Sequence, residues 1–142
     1  MDSVRISAPI AKVFEYLSEP DKQKLWMDGL VRTEYARPVD PDNPVGTRFT
    51  QHFLKGHTKT AYEFQGEIAE FRKPHLYAIK LDGKDFTAHI RYALEEIGGA
   101  TQLSSEAIME FKGNVVSRFL GRMAAHHNKQ DTKKLITMLE KS

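Results

Sequence analysis

The side chains able to do acid–base, nucleophilic or metal chemistry are few in this chain of 142 residues. Its six histidines are His52, His57, His75, His89, His126 and His127. None belongs to H-E-x-x-H or another ligand spacing. The adjacent His126 and His127 leave a helix on different faces and cannot easily share one ion. No metal site is expected on this pattern. Cysteine is absent, which excludes thiolate zinc sites, iron–sulfur clusters, disulfides and a cysteine nucleophile. The sequence holds no Gly-rich phosphate loop, G-x-S-x-G elbow or kinase signature. Ser104 and Ser105 have no base evident nearby, so a serine nucleophile is not expected, nor is any cofactor. Two weak candidates for proton transfer remain. His127 follows the Leu120–Met123–Ala124 stripe, and an imidazole titrates near neutrality. Tyr92 lies in a strand. The plainer alternative for His127 is a half-buried boundary residue.

With little reactive chemistry, shape and hydrogen bonding become the expected means of function. Strand-like alternation puts Phe49, Phe53, Tyr62, Phe64, Tyr77, Phe86, Ile90, Tyr92 and Met109 on one face. Gln51 and Ser105 interrupt that same face with polar groups. Buried polar groups cost free energy unless they find a partner. So Gln51, Tyr62, Tyr92 and Ser105 are candidates to orient a mostly apolar ligand. The alternative is a plain aromatic core whose Tyr hydroxyls reach solvent at the rim.

These residues need elements to position them. Asp2 to Ser7 reads as a strand. Ala8-Pro9 opens a helix with Pro at its first position, and Ile10, Val13, Phe14 and Leu17 form its apolar stripe. Pro20 starts a second short helix with Asp21 in its first turn. Leu25 and Trp26 give it an apolar face, and Asp28-Gly29 stops it. About 80 residues of strand text follow. Pro38, Pro41 and Pro44 mark a loop within it. Lys55-Gly56-His57, Lys73-Pro74, Asp82-Gly83-Lys84 and Gly98-Gly99 mark turns. Gly66 inside a strand suggests a bulge or bend. Gly113-Asn114 then opens a last helix to Lys141, about 40 Å long, with Asn as N-cap. Val116, Phe119, Leu120, Met123 and Ala124 line one side of it, and Leu135, Met138 and Leu139 continue the stripe. From Asn114 on, six basic residues face two acidic ones. The bland reading of that excess is a solvated helix face; the other is contact with an anionic surface.

Short turns make the strands antiparallel neighbours. One apolar face per strand describes a sheet covered on one side, an α+β arrangement in a single domain over residues 1–142. Lys and Arg number 21 against 19 Asp and Glu, for a net charge of +2. That near-balance argues against a nucleic-acid binder. No run of about 18 apolar residues predicts a membrane span. The opening residues lack the apolar segment of a signal peptide. A cytoplasmic protein, monomer or homodimer, is the expectation.

Several local patterns resemble the START/birch-pollen-allergen-like (SRPBCC) superfamily, along essentially the whole chain. They are Ile6-Ser7-Ala8-Pro9-Ile10-Ala11-Lys12-Val13-Phe14, Pro20-Asp21 with Leu25-Trp26, and Gly46-Thr47-Arg48-Phe49. Gly98-Gly99-Ala100-Thr101-Gln102-Leu103 and the C-terminal Leu135…Leu139-Glu140 complete them. The bacterial polyketide cyclase/dehydrase-like branch looks nearest. The resemblance implies a helix-grip fold: a curved antiparallel sheet of about seven strands around a long C-terminal helix, with two short helices after the first strand. It also implies an apolar cavity between sheet and helix, to which Phe119, Met123 and His127 would contribute. Such proteins bind lipids, polyketides or aromatics. Ligand binding is therefore the leading expectation. A cyclase or dehydratase using the same cavity comes second, and a co-chaperone-like interaction module third, since fold alone does not fix function.

Overall fold

The computed structural model describes residues 2–40, 42–55, 60–83, 86–111 and 132–141. Seven strands form one antiparallel sheet: β1 (Asp2–Ile6), β2 (Leu30–Tyr35), β3 (Arg48–Lys55), β4 (Thr60–Arg72), β5 (Leu76–Asp82), β6 (Phe86–Ile97) and β7 (Ala100–Phe111). Their spatial order is β1-β7-β6-β5-β4-β3-β2. From β2 to β7 each strand pairs with the next in sequence, including β2 and β3, which residues 36–47 join. β1 instead adds to the far side of β7. Gly98 and Gly99, with φ of 55° and 83°, make the tight β6–β7 turn, the left-handed geometry of a two-residue hairpin.

Because β1 and β2 are opposite edges, the segment between them must cross the sheet. It does so as α1 (Ile10–Ser18) and α2 (Pro20–Trp26). Val13, Phe14 and Leu17 of α1 are buried, as their spacing predicts. Pro9 is the N-cap of α1, with extended ψ of 144°, rather than its first helical residue. Pro20 opens α2 as expected, but the face of α2 is different. Gln23 and Trp26 are buried, whereas Leu25 is 43% exposed. The elbow is fixed by two hydrogen bonds into α1: Trp26 Nε1 donates to the Tyr16 carbonyl, and Gln23 Nε2 to the Leu17 carbonyl, both at 2.8 Å.

Gly66 is not a bulge. It pairs regularly with Phe49 and Leu81, and the register shift falls between Ile68 and Glu70. A Cβ on Gly66 would lie 2.4 Å from the Phe49 ring and 2.9 Å from Leu81. The missing side chain is the space that Phe49 occupies.

The C-terminal helix is described over residues 132–141 (α3). Its Leu135 and Leu139, one turn apart, are each 1% exposed in the core. Glu140 accepts a hydrogen bond from the Ser7 backbone N–H at 3.0 Å, tying α3 to the end of β1. Lys133, Lys134 and Lys141 are exposed. The upstream part of the predicted long helix, including its cap at Asn114 and Arg118, Arg122 and Lys129, lies outside the described residues.

Candidate functional site

The register lays the inner-face side chains in rows across the sheet. One row runs Thr33–Gln51–Phe64. The next runs Tyr35–Phe49–Gly66–Leu81–Ala88–Met109. Ile68–Ile79–Ile90–Ala107 follows, then Phe71–Tyr77–Tyr92–Ser105. Alternation therefore brings the expected ligand-lining residues onto one surface, and burial then divides them. Phe49, Tyr77 and Tyr92 are 5%, 3% and 6% exposed and belong to the core. Phe53, Phe64, Phe86, Ile90, Ser105 and Met109 are only half-buried.

α1 accounts for the buried end. Its Phe14 meets Phe71 edge-on at 5.4 Å and Tyr77 at 6.3 Å, sealing that end of the sheet. The opposite end carries a second aromatic group, with Phe64 at 5.5 Å from Phe53 and 5.4 Å from Phe86, again edge-to-face. Tyr35 and Phe49, 6.0 Å apart, also pack edge-to-face. Tyr62 is placed by its backbone opposite Phe53; its side chain, like Phe119, Met123 and His127, lies outside the described residues.

Polar groups stand out on this surface. Gln51 is 2% exposed, and its Oε1 has no hydrogen-bond partner among the described residues. Thr33 Oγ1, on the residue directly across from Gln51, is in the same state, as is Gln23 Oε1. Burial holds the Tyr77 hydroxyl well above the ordinary tyrosine range, with Tyr35 and Tyr92 adding to the shift and the Gln23 amide offsetting part of it. Burial raises Tyr35 as well. Both tyrosines are therefore neutral phenols near neutral pH, and Tyr77 and Tyr92 do not reach solvent at a rim.

The described histidines lie elsewhere. His52 is on the outer face, with Nδ1 3.2 Å from Glu63 and Nε2 3.4 Å from Glu34. His89 is exposed on that face opposite Lys80. His75, in the β4–β5 turn, has Nδ1 3.1 Å from the Leu94 carbonyl. Among the described residues none is placed to act with Tyr92, and no group of three His, Asp or Glu could hold a metal ion.

Described residues line at least two depressions. A cleft of about 190 Å³ opens at the α1–α2 elbow, where Phe14, Tyr35, Ile68 and Phe71 form its floor and Glu15, Glu19 and Lys73 its charged rim. A larger one of about 360 Å³ lies on the outer face among Glu34, Arg48, Glu67, Lys80 and Asp82; its mixed charges suit solvent rather than an apolar ligand. The expected cavity beneath the long helix falls against residues 112–131, outside the described set.

Thr33, Tyr35 and Gln23 were not among the residues singled out by sequence. β2 shifts register between Leu30 and Arg32, which blurs its alternation, and one glutamine in a seven-residue helix gives no periodic signal. The pairing of Thr33 with the flagged Gln51 is visible only in the register.

No helix among the described residues is long and apolar enough to cross a membrane. No curated protein sequence matches the chain, but solved structures share its fold. A START-superfamily protein from Mycobacterium smegmatis superposes with a TM-score of 0.78 at 13% identity, covering 99% of this chain and 95% of that one. A conserved protein from Geobacillus kaustophilus gives 0.72 at 19% identity, covering 99% and 93%. The di-domain ARO/CYC protein StfQ of the steffimycin biosynthetic pathway gives 0.78 at 11% identity, covering 98% of this chain and 44% of that one. The chain thus spans less than half the length of StfQ, and at these identities the likeness is one of fold. The helix-grip fold is thus shared with the START-superfamily protein, and the sequence profile of the family described as polyketide cyclase/dehydrase and lipid transport matches residues 2–142, so the chain belongs to that family.

Proposed function

We propose that the chain is a single domain that binds a small, largely apolar molecule against the inner face of its sheet. The half-buried Phe53, Phe64 and Phe86 form the apolar wall, and Gln51 supplies the hydrogen-bonding group. One observation carries this reading: Gln51 is 2% exposed with an Oε1 that has no partner among the described residues. Native interiors pair nearly all such atoms, and leaving one unpaired costs roughly 1–3 kcal/mol. An aromatic surface with a few unmet polar atoms is the usual plan of a small-molecule site. The family's description, which covers polyketide cyclases and lipid transport, supports the same class of ligand.

Catalysis by these groups has less support. A proton-transfer step needs an acid–base pair within hydrogen-bond reach. Among the described residues no histidine or carboxylate is buried on the inner face. Tyr77, kept protonated by burial, can donate a proton in a hydrogen bond but is a poor base.

The test is native mass spectrometry of the purified protein, with solvent extraction of whatever it carries, and titration with Nile red. A bound apolar molecule, with Nile red affinity lowered in Phe64→Ala, is the expected result. Empty protein that also fails to bind Nile red overturns the proposal.

A further inference from the structure

Gln51 and Thr33 face each other across β3 and β2. Directly opposed residues hold their Cβ atoms about 4.5–5.5 Å apart, so their polar ends serve one small volume. Gln51 Oε1 and Thr33 Oγ1 are both inaccessible and both lack a partner among the described residues, so they do not bond each other. Gln23 Oε1, also without a partner among the described residues, belongs to the other end of the sheet, where its side chain meets Tyr77 and the Leu17 carbonyl. The Gln51 amide oxygen can only accept a hydrogen bond; the threonine hydroxyl can do either.

Charge points the same way. Among the described residues no Lys, Arg, His, Asp or Glu is buried. An anion placed here would lose its hydration and gain no counter-charge, which is far costlier than burying a neutral group. A neutral ether or ketone can accept from the Thr33 hydroxyl but leaves Gln51 Oε1 without a donor. A hydroxyl group avoids both penalties, since its O–H donates to the amide oxygen and its oxygen can accept from Thr33.

We infer that the inner face selects an uncharged ligand bearing a phenol or alcohol hydroxyl, received by Gln51 Oε1 and Thr33 Oγ1, over the corresponding carboxylate or ether. This rests on the ligand-binding reading above and names the class of its ligand. Gln51 and Thr33 are then specificity-determining residues, while the aromatic wall supplies affinity without choosing among headgroups.

Three probes of one shape test it by calorimetric titration near neutral pH: 2-naphthol, 2-methoxynaphthalene and 2-naphthoate. Naphthol should bind about ten-fold more tightly than either of the others, a difference of about 1.4 kcal/mol. In Gln51→Leu, naphthol and methoxynaphthalene should bind alike, with methoxynaphthalene no weaker than in the wild type. Thr33→Val, isosteric and gentler on the fold, should narrow the same gap. If naphthoate or methoxynaphthalene binds as tightly as naphthol to the wild type, or if the preference survives both substitutions, the ligand class is wrong and the ligand-binding reading stands. If none of the three binds while Nile red does, this inference falls and the ligand-binding reading stands; if Nile red fails as well and the protein is empty, both fall.

Discussion

Gly66 shows how one residue can be read correctly as special and for the wrong reason. A glycine inside a strand fits either a bulge or a close approach, and only the register separates them. The Phe49 ring lies across the glycine, so Gly66→Ala should cost about 1–3 kcal/mol through overpacking, read as a lower urea midpoint at unchanged slope. In a Phe49→Leu background that cost should shrink; a cost that stays the same would place the strain elsewhere. Tyr77 carries a second prediction. Its folded-state pKa lies above the ordinary tyrosine value because burial disfavours the phenolate. The folded state therefore holds this proton more tightly than the unfolded chain. The associated stability is fully present below about pH 10, where the unfolded tyrosine titrates, and is lost as pH rises beyond it. Melting temperatures of the wild type should thus fall more steeply above about pH 10 than those of Tyr77→Phe. Parallel curves for the two proteins would show that Tyr77 does not titrate with unfolding. The inner-face positions of Phe49, Gln51, Phe64 and Tyr92 were legible from alternation, since a strand's period of two is local. Thr33 and Gln23 were not, because what marks them is the partner they lack.

At the level of elements, long periodic segments announced themselves and short ones did not. β6 alternates over twelve residues, and its inner set was plain from sequence. α2 has seven residues, barely two turns, so its spacing allowed more than one buried face. Tertiary contacts chose Gln23 and Trp26, whose hydrogen bonds into α1 set the elbow, and left Leu25 outside. In α3 the i, i+4 pair Leu135 and Leu139 was legible, and it anchors the helix end in the core. Leu139→Ala should therefore cost about 2–5 kcal/mol, whereas Lys134→Ala, on the exposed side of the same helix, should stay within about 0.5 kcal/mol. Equal effects from the two would mean that α3 docks on a different face. Chemical denaturation of both variants decides the matter.

For the whole molecule, opposite edges of one sheet are joined by α1 and α2, so a helical layer closes one end of the inner face, while the aromatic residues around Phe64 at the other end are half-buried. On the proposed reading, that asymmetry separates a part that stabilises from a part that binds, and Gln51 lies in the row of Phe64. If its unpaired oxygen is kept for a ligand, the empty protein bears a cost that an apolar side chain of similar size would remove. Gln51→Leu should then be more stable than the wild type when empty, by about 1 kcal/mol. Ligand reverses the order of gain. A ligand at about one hundred times its dissociation constant stabilises the folded state by about 2.7 kcal/mol, and the wild type should gain more from a given concentration of 2-naphthol than the variant does. The two denaturation curves, taken with and without naphthol, therefore converge or cross. If the empty variant is instead less stable than the wild type, Gln51 already has its partner within the fold, and its role is structural.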